Sequence, residues 1–152
     1  MGGSGGQLLA WVNDLSGRIV ALDSAPPIYY VEAHPLFFER LRPFFEALEQ
    51  RLFEATTSTV TIAEVLVHPL RFKRTRLVEA YRELFATYLH VTAMSYSIAE
   101  KAASLRAVHN LETPDAIQIA TALEQKADFL LTNDAKLSRL PQPQVLGLAD
   151  LA

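Results

Sequence analysis

The chain has 152 residues, half of them hydrophobic and a fifth charged, with a net charge of -3. That balance excludes a disordered chain and a surface that attracts nucleic acid as a whole, and the length suits one domain with a real core. The absence of cysteine excludes disulfides, thiolate zinc sites and thiol nucleophiles and fits a cytoplasmic location; no apolar run is long enough to span a bilayer, and no basic-then-apolar leader marks a secretory signal.

"MGGSGG" (1–6) reads as a flexible leader or an expression remnant, leaving 7–152 as one expected domain. "RIVALDS" (18–24) is a short apolar run ending in an acid and reads as a buried strand. Pro26 and Pro27 then suit the first turn of a helix. In 34–55, Phe37, Leu41, Phe44, Phe45, Leu48 and Leu52 recur every three or four residues, the pattern of an amphipathic helix. Pro43 falls inside that pattern and either kinks the helix or splits it. The segment 55–71 starts β-branched and ends helical: a strand is expected at 57–60 and a helix at 62–68, stopped by Pro69.

A second long amphipathic helix is expected over 71–88, with Leu77, Val78, Tyr81, Leu84, Phe85 and Tyr88 on one face. A strand at 89–94, a helix at 95–110, a helix at 114–126, a strand at 128–132 and a last strand in "QVLGL" complete the chain. Strands alternate with helices, and most strands are too apolar to have a wet face. This pattern predicts an α/β fold, a three-layer α/β/α sandwich around a parallel sheet. In such sheets ligands sit beyond the carboxyl ends of the strands, near a switch in strand order.

Asp23 and Asp134 each follow a predicted strand, whereas Glu64 and Asp115 each fall in the first turn of a predicted helix. Singly, each has an ordinary explanation. Thr113-Pro114-Asp115 is a good helix start, with Thr113 as the cap, Pro114 in the first position and Asp115 meeting the positive helix end, "TIAE" (61–64) matches a capping box with Glu64 reaching back to the Thr61 amide, "TND" (132–134) is a competent turn, and Asp23-Ser24 can cap a helix. Capping does not explain why all four should fall at one end of the sheet. Carboxylates gathered there repel one another, and a divalent cation removes that penalty while gaining hard oxygen ligands. Lys136 and Arg139, just after the last acid, are placed to meet a phosphate.

"ALDSAPPIYYVE", "TSTVTIAEVL" and "TPDAIQIATALEQKADFLLTNDAKL" resemble the successive motifs of the PIN domain family, most closely its VapC-like toxin ribonucleases, over roughly 18–148. The last motif is the most specific. The first departs from the family, with Asp-Ser-Ala-Pro-Pro in place of Asp-Thr-Ser or Asp-Thr-Asn followed by an aliphatic pair. The resemblance implies a metal-dependent endoribonuclease with catalytic Asp23, Glu64, Asp115 and Asp134, which hold Mg²⁺ or Mn²⁺. It implies Asp23 and Asp115 as core ligands, Asp134 acting through water or a second ion, and Glu64 ligating or positioning water. Ser24, Thr132 and Asn133 match polar residues beside the acids. RNA as substrate, an antitoxin partner and a homodimer are also implied. The metal and carboxylates must supply the activation, because these motifs hold no histidine or cysteine.

Arg71, Lys73, Arg74 and Arg76 are candidate RNA contacts together with Lys136, against the simpler alternative of a solvated helix face. His34, His68, His90 and His109 share no close spacing and suit surface or capping roles. The aromatic stripe 37, 44, 45 and 53 suits a core or subunit contact better than base stacking. An aspartyl phosphotransferase wants a second acid two residues past its nucleophile, and Asp23-Ser24-Ala25 lacks it. A stand-alone PIN nuclease without an antitoxin and a non-catalytic PIN-like binding domain remain as alternatives. The four retained acids favour catalysis over the second.

Overall fold

The computed structural model describes residues 10–151, and the leader at 1–6 lies outside the described residues. Among them, five strands form one parallel sheet: β1 (Ile19–Leu22), β2 (Glu54–Ser58), β3 (His90–Thr92), β4 (Phe129–Thr132) and β5 (Gln144–Gly147), in the order β3-β2-β1-β4-β5. Helices α1 (Ala25–Val31) and α2 (Phe38–Glu49) lead from β1 to β2. Helices α3 (Thr59–Val65), α4 (Val67–Arg71) and α5 (Thr75–Glu83) lead to β3, and α6 (Tyr96–His109) and α7 (Thr113–Glu124) lead to β4.

The apolar residues of β1 and β4 alternate between two cores, one on each face of the sheet. Val20, Leu22 and Leu131 join Leu41, Phe44, Phe45, Leu48, Tyr81 and Phe85. Ala21 and Leu130 join Ile98, Ala102, Ala116, Ile119, Ala120 and Ala122. The result is the three-layer α/β/α sandwich that the alternating pattern predicts. The two faces also fix the register. The alanines of α6 and α7 face Ala21, leaving little room there for a larger side chain. A one-residue slip of β1 would turn Val20 and Leu22 into that narrow space and take them out of their own core. A fully buried side chain of this size is worth about 1.5–3 kcal/mol, so the slip is costly.

The register pairs Leu22 with Leu131 and Ala21 with Thr56. The next residue along therefore sets Asp23 beside Thr132, and Thr57 beside Leu22. Strand order turns at β1: the chain moves outward through β2 and β3, then returns to place β4 on the other side of β1. The carboxyl ends of β1 and β4 thus flank the switch point, where such sheets bind ligands. At the opposite end of the same two strands, the Ile19 amide donates to the Asp128 carboxylate at 2.9 Å and Arg18 lies 3.8 Å from it.

Several boundaries differ from the sequence reading. The helix expected over 34–55 occupies only Phe38–Glu49, because Arg51 turns the chain with φ of 63°. Pro43 neither ends nor divides it. The strand expected at 57–60 is Glu54–Ser58, and α3 starts at Thr59. Pro69 does not stop a helix there but sits in α4 as its third residue, where its missing N–H has no partner to lose. Residues 71–74 do not begin the next helix: Lys73 adopts φ of 54°, α5 starts at Thr75, and a π-helical turn over Leu84–Tyr88 closes it. Phe44, Phe45 and Phe53 are core, as their spacing suggests, and the His34 ring nitrogen accepts the Leu36 and Phe37 amides as a local cap.

Candidate active site at the carboxyl ends of β1 and β4

Asp23 is the most constrained of the four acids. The Thr132 hydroxyl donates to one of its oxygens, and the Ala25 amide to the other at 3.3 Å. Thr132 is fully buried at the end of β4, and its oxygen also accepts the Asp134 amide at 3.0 Å. One hydroxyl thereby ties the two strand ends together. Burial, together with the negative charges of Asp115 and Asp134, pushes the Asp23 carboxyl up to about 6 against the pull of those hydrogen bonds.

Asp115 is the third residue of α7, at the positive end of the helix. Burial raises its pKa, and the charges of Asp134, Glu112 and Glu64 raise it further; Lys136 offsets part of this. Asp134 opens a 3-10 turn, its carboxylate accepting the Lys136 amide at 3.0 Å. It therefore caps a turn and also faces the other acids. Glu64 is exposed on α3 and accepts the Ser24 hydroxyl at 2.5 Å, linking the two segments that follow β1 and β2. The Asn133 amide donates to the Tyr29 hydroxyl at 3.0 Å.

Two of the capping explanations fail. Ser58, not Thr61, caps α3, its hydroxyl accepting the Val60 amide, and Glu64 lies near the end of that helix rather than in its first turn. Glu64 is thus free of the capping box and turned to Ser24. Glu112, not Thr113, stands at the cap of α7 and makes no side-chain cap bond. Glu112 is also an acid that the sequence reading passed over, though its place just ahead of the Thr-Pro-Asp helix start was a usable signal. The buried hydroxyls of Thr57 and Thr61 and the amide of Gln118 were missed as well. Thr57 and Thr61 bond to each other four residues apart, but their links to Leu22 and Gln118 join distant parts of the chain, so spacing alone carries no sign of the set.

The donor set suits a hard divalent cation. It is all oxygen, it holds several mutually repelling carboxylates, and one of these is held well above its ordinary pKa in the metal-free state. Among the described residues no three Asp, Glu or His groups are already gathered into a finished ion cage. Arg71, Lys73, Arg74 and Arg76 are all exposed, and Lys73 to Leu77 with Ala80 line a shallow concavity whose lining includes none of the acids. Lys136 is the candidate basic residue whose charge reaches the acids.

The sheet order and the acidic switch point define a class, α/β domains with a carboxylate site at the strand ends. The PIN domain profile matches residues 20–143, and the chain belongs to the PIN domain family. No curated protein sequence matches it. Among solved structures, it is similar in fold to a chain of VapBC2 from Rickettsia felis bound to a DNA fragment from its promoter, at 18% identity and a TM-score of 0.68, covering 85% of this chain and 98% of that one. A toxin–antitoxin complex from Klebsiella pneumoniae gives 23% identity, a TM-score of 0.66 and coverage of 85% and 97%. DNA-bound VapBC from Salmonella typhimurium gives 18%, 0.67, and 86% and 98%.

Proposed function

We propose that the protein is a Mg²⁺- or Mn²⁺-dependent endoribonuclease and the toxin of a toxin–antitoxin pair. Membership of the PIN family supports nuclease chemistry, and the fold it shares with chains of VapBC and other toxin–antitoxin complexes supports a toxin with an antitoxin partner. The observation that carries the reading is Asp23: a half-buried carboxylate at the switch point, held by the Thr132 hydroxyl and the Ala25 amide, with the charges of Asp115 and Asp134 close by. Such a group gains most from a bound cation.

In this reading Asp23 and Asp115 hold the ion, Asp134 acts through water or a second ion, and Glu64 ligates it or orients the attacking water. When bound, the ion neutralises the phosphate and acidifies water. Thr132 keeps the Asp23 oxygens turned toward the site, Ser24 fixes Glu64, and Lys136 supplies a positive charge beside Asp115 that suits a phosphate oxygen. Asn133 holds the β4 turn against Tyr29. Arg71, Lys73, Arg74 and Arg76 would extend the contact along an RNA backbone. The active unit spans residues 7–152 as one domain, works in the cytoplasm and pairs with a second copy; among the described residues no helix is long and apolar enough to cross a membrane.

The test is cleavage of a mixed RNA pool by chelator-treated protein, with Mn²⁺ or Mg²⁺ added back. Cleavage restored by either ion is expected. No cleavage with both sinks the enzyme reading. A stand-alone nuclease would share this site and differ in having no antitoxin, and co-purification from the native operon separates the two.

A further inference from the structure

Below the acids runs a chain of buried hydrogen bonds that joins the three segments carrying Asp23, Glu64 and Asp115. The Gln118 side-chain amide on α7 donates to the Thr61 hydroxyl on α3 at 2.7 Å. The Thr61 and Thr57 hydroxyls lie 2.7 Å apart, and the Thr57 hydroxyl donates to the Leu22 carbonyl at 2.7 Å. Thr57, Thr61 and Gln118 are 1%, 0% and 4% exposed, so bulk water does not compete for these bonds.

The direction of the chain follows from proton counting. A hydroxyl has one proton. That of Thr57 goes to Leu22, so Thr57 must accept from Thr61. Thr61 has then spent its own proton and must accept from Gln118, which sets the nitrogen of the Gln118 amide toward it. The chain therefore has one arrangement, and a buried network of this kind rigidifies what it connects.

Three of its members lie within four residues of the acids along the chain. Leu22 precedes Asp23. Thr61 comes three residues before Glu64 on α3, and Gln118 three residues after Asp115 on α7, spacings that share a helix face. Apolar packing would hold α3, α7 and β1 together without fixing their rotation, whereas directional bonds fix it. We infer that Thr57, Thr61 and Gln118 are positioning residues, a polar strut that sets the spacing of Asp23, Glu64 and Asp115 for a divalent cation. This rests on the reading of the site given under Proposed function. The three residues touch neither ion nor RNA and act only through the acids.

Three variants test the strut. Thr61→Val keeps the side-chain shape without the hydroxyl, Thr61→Ser keeps the hydroxyl, and Gln118→Met keeps the length without the amide. The measurements are Mn²⁺ affinity by electron paramagnetic resonance, thermal melting, and kcat and KM for RNA. Thr61→Val and Gln118→Met should weaken Mn²⁺ binding about 10-fold or more, within the ~10–100-fold typical of partners that orient ligands. They should lower kcat more than they raise KM, and Thr61→Ser should restore both. If Thr61→Val does not fold, Gln118→Met decides, since it removes only the terminal donor. Folded variants with wild-type Mn²⁺ affinity would overturn the inference and leave a structural cross-link. Wild-type protein that binds Mn²⁺ without cleaving RNA overturns the nuclease reading alone, and the Mn²⁺ comparison still decides on the strut. Wild-type protein that binds no Mn²⁺ overturns both.

Discussion

The paired strands β1 and β4 have acids at both ends of the pair, Asp128 at one and Asp23 and Asp134 at the other, and the two ends treat them differently. At the amino end, Asp128 accepts the Ile19 amide and faces Arg18. Its charge is matched and half open to water, and it ties β4 to the start of β1. At the carboxyl end, Asp23 and Asp115 face other carboxylates across a partly buried gap, and both are pushed toward the protonated form. An acid with a cation and an amide to itself is part of the scaffold. An acid whose nearest charges are more acids is a cost to the fold.

The sharpest way to break that comparison is to neutralise the carboxyl end. Asp115→Asn and Asp23→Asn should each reduce metal-dependent RNA cleavage by more than about 100-fold, beyond the range of a merely orienting partner. The metal-free proteins should melt no lower than wild type, because removing one charge relieves repulsion. A variant that melts lower yet cleaves normally would return the residue to the scaffold.

Next in size is a pH effect. The Asp23 carboxyl titrates near 6 in the folded protein and near 3.8 when unfolded. The folded state therefore binds the extra proton between those values, and metal-free stability should fall as pH rises from about 4 to 6, then level off. With Asp23 alone the change is on the order of 2–3 kcal/mol, and Asp115 acts in the same direction. Asp23→Asn should flatten the profile in denaturant titrations across this window. Added Mn²⁺ should raise the melting temperature more at pH 7 than at pH 5, where protons compete for the same oxygens.

The basic segment gives a smaller effect of a different kind. Replacing Arg71, Lys73, Arg74 and Arg76 with Gln should weaken RNA binding and flatten its salt dependence, by up to about 0.7 in slope for each phosphate no longer neutralised. Mn²⁺ affinity should not change. A salt titration that leaves RNA affinity unaltered would make the segment a solvated surface. The smallest effect belongs to the amino end. Asp128→Asn should cost about 1 kcal/mol, the worth of one partly exposed hydrogen-bonded pair, with cleavage unchanged.

The elements and their layering were legible because hydrophobic period and turn residues are local signals. Asp23 and Asp134 could be set at strand ends for the same reason. Helix limits were less legible where the chain turns on Arg51 and Lys73, residues with positive φ that carry no glycine to advertise the turn. The start of α3 was misplaced because "TTSTVT" offers several hydroxyls as caps, and only the end of β2 decides for Ser58. The strut from Gln118 to Leu22 could not be read at all, since it exists only once β1, α3 and α7 are packed together.

Pairing β1 directly with β4 also has a consequence in time. Thr132 reaches Asp23 across 109 residues of sequence. While the chain is being made, Asp23 and Glu64 emerge early, but the other half of the site follows only after most of the protein has been synthesised. A truncated or stalled product ending before α7 holds two isolated carboxylates and no β4 to complete the pocket. The order of the strands thus delays assembly of the four-acid cluster until synthesis is nearly finished.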